Sequence, residues 1–288
     1  MSRFVTKGFS WFNTHLSGEK MFLVMHFFPL FAFFTQVKPV DWIICVVLYV
    51  VRMFFITAGY HRYFSHRAFK LNRFWQFIFA FMAQSSGQKG VLWWASHHRE
   101  HHRLSDTPLD PHSPKQRGFW YSHVGWIFDK RYKRTLTEKI KDFAKYPEIR
   151  FLNEYDFIPP WVVGFTVWLI GGFSALWIGF FLSTIILYHS TFTINSLTHV
   201  LGKKRYETGD NSRNHWFLAL TTMGEGWHNN HHFYPHSARM GWFWYEIDLT
   251  YYLLKVLSWL GIVKNLRPVP DRVRYAHRLK LLMQSNQG

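Results

Sequence analysis

Two stretches of this sequence each hold three histidines at positions i, i+3 and i+4: His98, His101 and His102 in the first, and His228, His231 and His232 in the second. On a helix this spacing places the three side chains on one face. Imidazole nitrogen binds iron, zinc and copper well, but it is a poor ligand for magnesium and calcium. The spacing therefore predicts a transition-metal site built from histidines.

Three more histidines end apolar segments: His61 and His66 end one, and His199 ends another. Nine imidazoles exceed what one ion can bind, so we expect two metal ions. His61 and His66 are about 140° apart in net rotation on an α-helix, so they can share a centre only if the helix ends or bends between them. Asn195 lies one turn before His199 on the same face and could hold a metal-bound water.

Four apolar segments are candidates for membrane crossings: residues 21–37, 42–60, 158–177 and 178–199. A bilayer core needs about 20 apolar residues of helix, and a turn near Gly171–Gly172 or Gly179 would divide the last two. The pattern predicts an all-α membrane protein in which four transmembrane helices form two hairpins. Residues 61–157 and 200–288 would form a cytosolic helical cap, and residues 1–288 a single membrane domain.

The chain is strongly basic: its 288 residues include 34 Lys and Arg against 17 Asp and Glu, a formal charge of +17. This charge lies outside the apolar hairpins and no nucleic-acid-binding motif is present, so we expect no nucleic-acid partner. The positive-inside rule puts the termini and every histidine group on the cytoplasmic side. The single cysteine, Cys45, excludes a disulfide framework or a thiolate metal cluster within the chain.

Two other kinds of metal protein are consistent with parts of the pattern. The stretch from His97 to His101 matches H-x-x-E-H, in which His97 and His101 would bind zinc and Glu100 would activate water in a membrane protease. That hypothesis gives no role to the other histidine groups. A metal transporter is a further alternative, but its ligands should lie near the middle of the bilayer.

The chain resembles the integral-membrane fatty acid desaturases, in particular the acyl-CoA Δ9 (stearoyl-CoA) type. Several segments carry the resemblance: Gly59–Arg67, His98–Arg103, Asp110–His112, Ser122–Trp126, Asn195–His199, Gly224–Trp227 and His228–His232. It covers residues from about 40 to 265. The resemblance implies oxygen-dependent desaturation of long saturated acyl chains in lipid metabolism and unsaturated fatty acid biosynthesis. The alternative within the superfamily is a di-iron hydroxylase that acts on an alkyl chain or a fatty acid.

By the same resemblance, nine histidines hold two Fe²⁺ ions: His61, His66, His98, His101, His102, His199, His228, His231 and His232. Asn195 would contact one iron through water, and no side chain would act as acid or base. Lys130 and Arg131 fall where acyl-CoA enzymes place cations for the CoA phosphates. Dioxygen would be the co-substrate, and the electrons would come from a separate donor protein, a haem or iron–sulfur carrier with its reductase. We expect a multi-pass protein of the bacterial inner membrane.

Overall fold

The structure is a computed structural model that describes residues 18–277; the two ends of the predicted domain, residues 1–17 and 278–288, lie outside the described residues. The described residues are helical and contain isolated β-bridges but no strand, so the all-helical prediction is confirmed for them. The α-helices, in chain order, are α1 Gly18–Met25, α2 Pro39–Phe55, α3 Arg73–Gln84, α4 Val91–Leu104, α5 Pro114–Arg117, α6 Phe119–His123, α7 Lys141–Ala144, α8 Pro147–Glu154, α9 Ile158–Ala175, α10 Ser183–Ser196, α11 Trp216–Thr221, α12 His228–Phe233, α13 Leu249–Trp259 and α14 Asp271–Arg274.

Other helical types complete this order. The 3₁₀ segments are Phe28–Phe34, Gly125–Phe128, Lys130–Tyr132 and Thr137–Lys139, and the π-helical segments are Ile56–Ser65 and Leu176–Leu182. Two helical stretches are long and apolar enough to cross a membrane, Pro39–Ser65 and Ile158–Ser196, and Met21–Phe34 is a shorter apolar one. The chain divides into two compact units, one of residues 1–49 and 162–186 and one of residues 50–161 and 187–288.

In the first unit the chain reverses direction at Gly172, whose positive φ of 69° interrupts α9. A Cβ placed on Gly164 would lie 3.1 Å from the ring of Phe180, sixteen positions later, whereas a straight helix would separate these residues by about 24 Å. The segment is therefore a helical hairpin, with its turn at one of the positions that the sequence predicted. Glycine is needed at this turn because other residues rarely adopt such a backbone conformation.

The first unit leaves much apolar surface uncovered. Aromatic rings pack inside it, where Phe28 lies 4.4 Å from Phe181 between ring centroids. On its outer surface Phe33 and Ile170 are 86% and 74% exposed. A soluble protein rarely exposes a continuous apolar surface of this kind, so the unit is suited to contact with lipid.

The second unit is built around α4 and the π-helical segment Ile56–Ser65, which pack against each other. The first turn of α4 has amide groups that no α-helical bond can satisfy. Gln84 and Asn153 accept hydrogen bonds from two of them, the amides of Val91 and Trp93, each at 2.9 Å. These side chains fix the start of α4 and thereby the positions of the histidines further along it.

Candidate metal centre

Five of the histidines form one buried group, hereafter the five-histidine cluster: His61, His66, His98, His102 and His231. One ring nitrogen from each of the five lies within 4.8 Å of the others. The Nε2 atom of His231 is 2.9 Å from that of His61 and 2.9 Å from that of His102. Residues from three distant parts of the chain thus share one centre.

The other four form the four-histidine cluster, which contains His101, His199, His228 and His232. The Nε2 atoms of His199 and His228 are 3.1 Å apart. The two clusters adjoin, because the ring of His102 in one lies 4.4 Å from the ring of His232 in the other, measured between centroids. Every histidine that the sequence marked as a candidate ligand therefore belongs to one of two adjacent groups.

The π-helical segment explains how His61 and His66 reach the same cluster. The amide of His66 donates to the carbonyl of His61 at 3.2 Å, and an i→i+5 bond of this kind widens the turn so that its first and last residues lie nearly one above the other. The helix then ends at Ser65. The sequence predicted such a departure from a regular α-helix, because only a helix that ends or bends between His61 and His66 lets both reach one centre.

The triplets on α4 and α12 each divide between the two clusters. On α4, His98 and His102 belong to the five-histidine cluster and His101 to the other. On α12 the arrangement is reversed, since His231 joins the five-histidine cluster while its neighbours in the triplet join the four-histidine cluster. Residues at i and i+4 share a face, and the residue between them lies to one side, so each of these two helices contributes histidines to both clusters.

Buried carboxylates hold the outer nitrogen, Nδ1, of four of these histidines: Glu225 holds His61, Asp110 holds His101 at 2.9 Å, Asp106 holds His199 at 3.0 Å, and Asp210 holds His232 at 2.6 Å. A metal-bound histidine commonly donates its second N–H to a carboxylate, which fixes the ring and makes the inner nitrogen more basic. Sequence reasoning missed these acids. Their signal was proximity to the histidine motifs, since Asp110 and Glu225 lie within segments that carry the family resemblance.

Five of the clustered imidazoles are held in the neutral state that metal binding needs. Burial, helped by the neighbouring imidazoles, lowers the pKa of His98, His102, His228 and His231 well below the usual value. Burial also lowers the pKa of His232, to about 4, although Asp210 acts in the opposite direction. These five rings are therefore neutral at pH 7, and each retains a nitrogen lone pair for a metal.

The spacing of the inner nitrogens fits a metal ion better than it fits hydrogen bonds. Two metal–nitrogen bonds of about 2.1 Å at a right angle place the nitrogens about 3 Å apart. The Nε2 atoms of His66 and His98 are 2.8 Å apart, and those of His98 and His102 are 3.0 Å apart. Because His98 has a single Nε2, one proton cannot serve both contacts. The histidine clusters fit a metal site.

A cavity opens onto both clusters. It is lined by histidines of both clusters, by Asn195 and by apolar side chains. The apolar residues are Met53, Ile56, Trp94 and Ile194, and the polar ones are Thr57, Thr191, Thr222, Glu225, His61, His98, His101, His112 and His228. The side chain of Asn195 forms no hydrogen bond with the residues that the structure describes. The cavity therefore places apolar side chains next to histidines of both clusters.

The zinc-protease residues are not brought together. The Nε2 atom of His97 is 3.0 Å from the carbonyl oxygen of Arg134, and His97 belongs to neither cluster. Glu100 forms surface ion pairs with Arg103 and Lys139. Among the described residues, these partners leave the H-x-x-E-H pattern without a shared metal position.

The two cations suggested for CoA binding are exposed and do not line this cavity. Both belong to the 3₁₀ segment Lys130–Tyr132. The guanidinium of Arg131 is held by Asp129 at 2.5 Å, so a phosphate would have to compete with this carboxylate.

Two asparagines between the histidines of α12 fix the whole helix in place. Asn229, fully buried, accepts hydrogen bonds from the amides of Arg205 and Tyr206 and donates to the carbonyl of Tyr206. Asn230, also buried, donates to Glu246 and to a backbone carbonyl. Side-chain amides thus anchor the helix that carries three of the nine histidines.

Replacing Asn229 by alanine is expected to lower the free energy of unfolding by about 2–4 kcal/mol, because it leaves several buried backbone groups unpaired at about 1–3 kcal/mol each. Thermal unfolding in detergent would measure the change. The matched control is Asn211→Ala, since the side chain of Asn211 forms no hydrogen bond with the described residues. Equal stability of the two variants would contradict the anchoring role of Asn229.

Comparisons with known proteins agree with this geometry. A family model described as fatty acid desaturase matches residues 39–258. An acyl-CoA 5-desaturase of Anemone leveillei is 35% identical over 96% of this chain and 87% of its own length. An sn-1 stearoyl-lipid 9-desaturase of Synechocystis sp. is 37% identical over 87% of this chain and 79% of its own. A "Delta-9 desaturase-like 2 protein" of Arabidopsis thaliana is 40% identical over 78% of this chain.

The chain belongs to the fatty acid desaturase family. It is accordingly an oxidoreductase, with histidine clusters compatible with metal binding and two apolar helical stretches compatible with association with a membrane.

Proposed function

We propose that this chain is a membrane di-iron enzyme that introduces a double bond into a long saturated fatty acyl chain. The observation that carries the proposal is the pair of adjacent imidazole clusters at an apolar cavity. The nine histidines would be the ligands of two irons, and Asn195 would contact one of them through water. Imidazole ligands are well suited to iron, and the four carboxylates would hold the rings in position.

The reaction removes two hydrogens from adjacent methylenes. It takes one dioxygen, two electrons and two protons, and it yields one double bond and two waters. When bound, the irons supply the activation of dioxygen and the oxidising power for this step. The apolar side chains of Met53, Ile56 and Ile194 hold the alkyl chain beside the clusters and exclude water.

We propose that the substrate is a saturated acyl-CoA and that the double bond is introduced at the Δ9 position. The relatives of this chain include enzymes named for acyl-CoA and enzymes named for acyl lipids. The acyl carrier is therefore a separate experimental question. Of the two exposed cations, Lys130 is the better candidate for a phosphate contact, because Asp129 occupies the side chain of Arg131.

We further propose four membrane crossings within a single domain of residues 1–288, with both clusters on the cytoplasmic side of the bacterial inner membrane. The hairpin at Gly172 supports two crossings in the second apolar stretch, and Met21–Phe34 would supply another before Pro39. The basic charge outside the apolar segments gives the orientation. Electrons would come from a separate haem or iron–sulfur protein with its reductase.

Product analysis tests the proposed activity. Purified protein loaded with ferrous iron would be incubated with stearoyl-CoA, or with a stearoyl phospholipid, together with dioxygen and a chemical or protein reductant. We expect a monounsaturated product whose formation needs both dioxygen and iron. A hydroxylated product would instead support the alkyl hydroxylase, and no oxidised product with either carrier would contradict the proposal.

Replacing Lys130 by alanine is expected to raise KM for acyl-CoA by about 3- to 10-fold while kcat stays the same, because it removes one exposed cation from the phosphate contact. Steady-state kinetics would measure this, with Lys141→Ala, another exposed cation, as the control. An unchanged KM for acyl-CoA would remove Lys130 from the substrate site.

A further inference from the structure

The carboxylates around the candidate metal centre are unequally divided. In the four-histidine cluster, three of the four rings are held by aspartates: Asp110, Asp106 and Asp210. In the five-histidine cluster, Glu225 holds His61, and it is the one carboxylate with an ion-pair contact to a ring of that cluster among the described residues. The cluster with fewer imidazoles is therefore surrounded by more negative charge.

Positive charge increases this inequality. The buried guanidinium of Arg62 lies 3.2 Å from Glu225 and 3.0 Å from Asp248, so it offsets part of the charge near the five-histidine cluster. In the part of the chain that the structure describes, no arginine or lysine forms an ion pair with any of the three aspartates. Backbone amides and hydroxyls bind them instead; Ser113, for example, donates to Asp106 at 2.5 Å.

The three aspartates are buried, and each accepts a hydrogen bond from a backbone amide. The amide of Asn211 donates to Asp106 at 2.7 Å, that of His112 to Asp110 at 3.1 Å, and that of Ser212 to Asp210 at 3.0 Å. Donors of this kind stabilise a carboxylate in its charged form. A divalent cation in the four-histidine cluster would thus be balanced by three carboxylates just beyond its ligands.

We infer that the two clusters bind metal with unequal affinity and that the four-histidine cluster fills first. The inference rests on the proposal that these histidines are metal ligands. Carboxylates behind a ligating histidine are each worth about 10- to 100-fold in metal affinity, and the charge of the three aspartates attracts the ion directly. The five-histidine cluster has one imidazole more, which favours metal binding there. An imidazole carries no negative charge, however, and Glu225, the carboxylate of that cluster, is shared with Arg62.

Equilibrium dialysis of the full chain in detergent against buffers of fixed free Co²⁺, followed by metal analysis, tests the order of filling. Two cations repel each other, so two binding steps alone would not identify the clusters. Charge-removing variants do, because asparagine and glutamine keep an oxygen that can accept the N–H of histidine. We expect Asp210→Asn and Asp106→Asn to move the first step to about 10- to 100-fold higher free Co²⁺, and Glu225→Gln to move only the second.

Asp142→Asn is the matched control, since Asp142 pairs with Arg99 and Arg67 and contacts no clustered histidine. His228→Gln and His66→Gln give an independent reading: the first should abolish the tighter step and the second the weaker one. The inference is overturned if the aspartate variants shift the weaker step, or if every variant shifts both steps equally. Absence of any bound Co²⁺ in the unsubstituted protein would instead overturn the metal centre itself.

Discussion

Replacing His231 by alanine is expected to reduce desaturation by at least about 100-fold and to lower the iron content from two ions per chain to one or fewer. The Nε2 atom of His231 lies 2.9 Å from those of both His61 and His102, so its loss opens the centre of the five-histidine cluster. Loss of a residue behind the ligands already costs about 10- to 100-fold. His101→Ala should have the same effect through the four-histidine cluster.

The control for these variants is a histidine outside both clusters. His215 accepts a hydrogen bond from the amide of Leu218 at the start of α11, and asparagine can serve there equally well. His215→Asn should therefore keep full turnover and both irons. Full turnover in His231→Ala, with the protein still in the membrane fraction, would remove His231 from the ligand set.

A second large effect is expected from filling the cavity. Ile194 lines it next to Asn195, and tryptophan at this position would occupy the space proposed for the alkyl chain. We expect Ile194→Trp to lower kcat/KM for a long acyl chain by at least about 100-fold, because small displacements of a reacting chain cost this much. Iron content should not change, since Ile194 belongs to neither cluster.

The conservative variant Ile194→Val controls for the substitution itself. It removes one methylene and should stay within about threefold of the unsubstituted enzyme. Unchanged turnover in Ile194→Trp would show that the alkyl chain does not use this cavity, and a loss of iron would show that the effect arises at the metal centre.

The sequence predicted much of the candidate site because its chemistry is local. The i, i+3, i+4 spacing of His98, His101 and His102 requires a helix, and a helix divides three such rings between two directions. The turn at Gly172 was one of the two positions named, because glycine pairs interrupt apolar helices. The sequence predicted that the helix must end or bend between His61 and His66, and in the structure the π-helical segment ends at Ser65.

What the sequence could not predict depends on contacts between distant segments. Gln84, Ser85 and Ser86 are polar residues that follow an apolar stretch, and all three are fully buried. Gln84 joins two backbone segments by hydrogen bonds to Leu152 and Val91. Asp106 was missed for the same reason, because Asp106 and His199 are 93 positions apart and only folding brings them together.

The most direct test of the proposed centre is the iron content of the purified chain after anaerobic loading with Fe²⁺ and removal of unbound metal. If the nine clustered imidazoles hold two ions, we expect about two irons per chain in the unsubstituted protein. A stoichiometry of one zinc and no iron would contradict the di-iron centre and favour a single hydrolytic metal site.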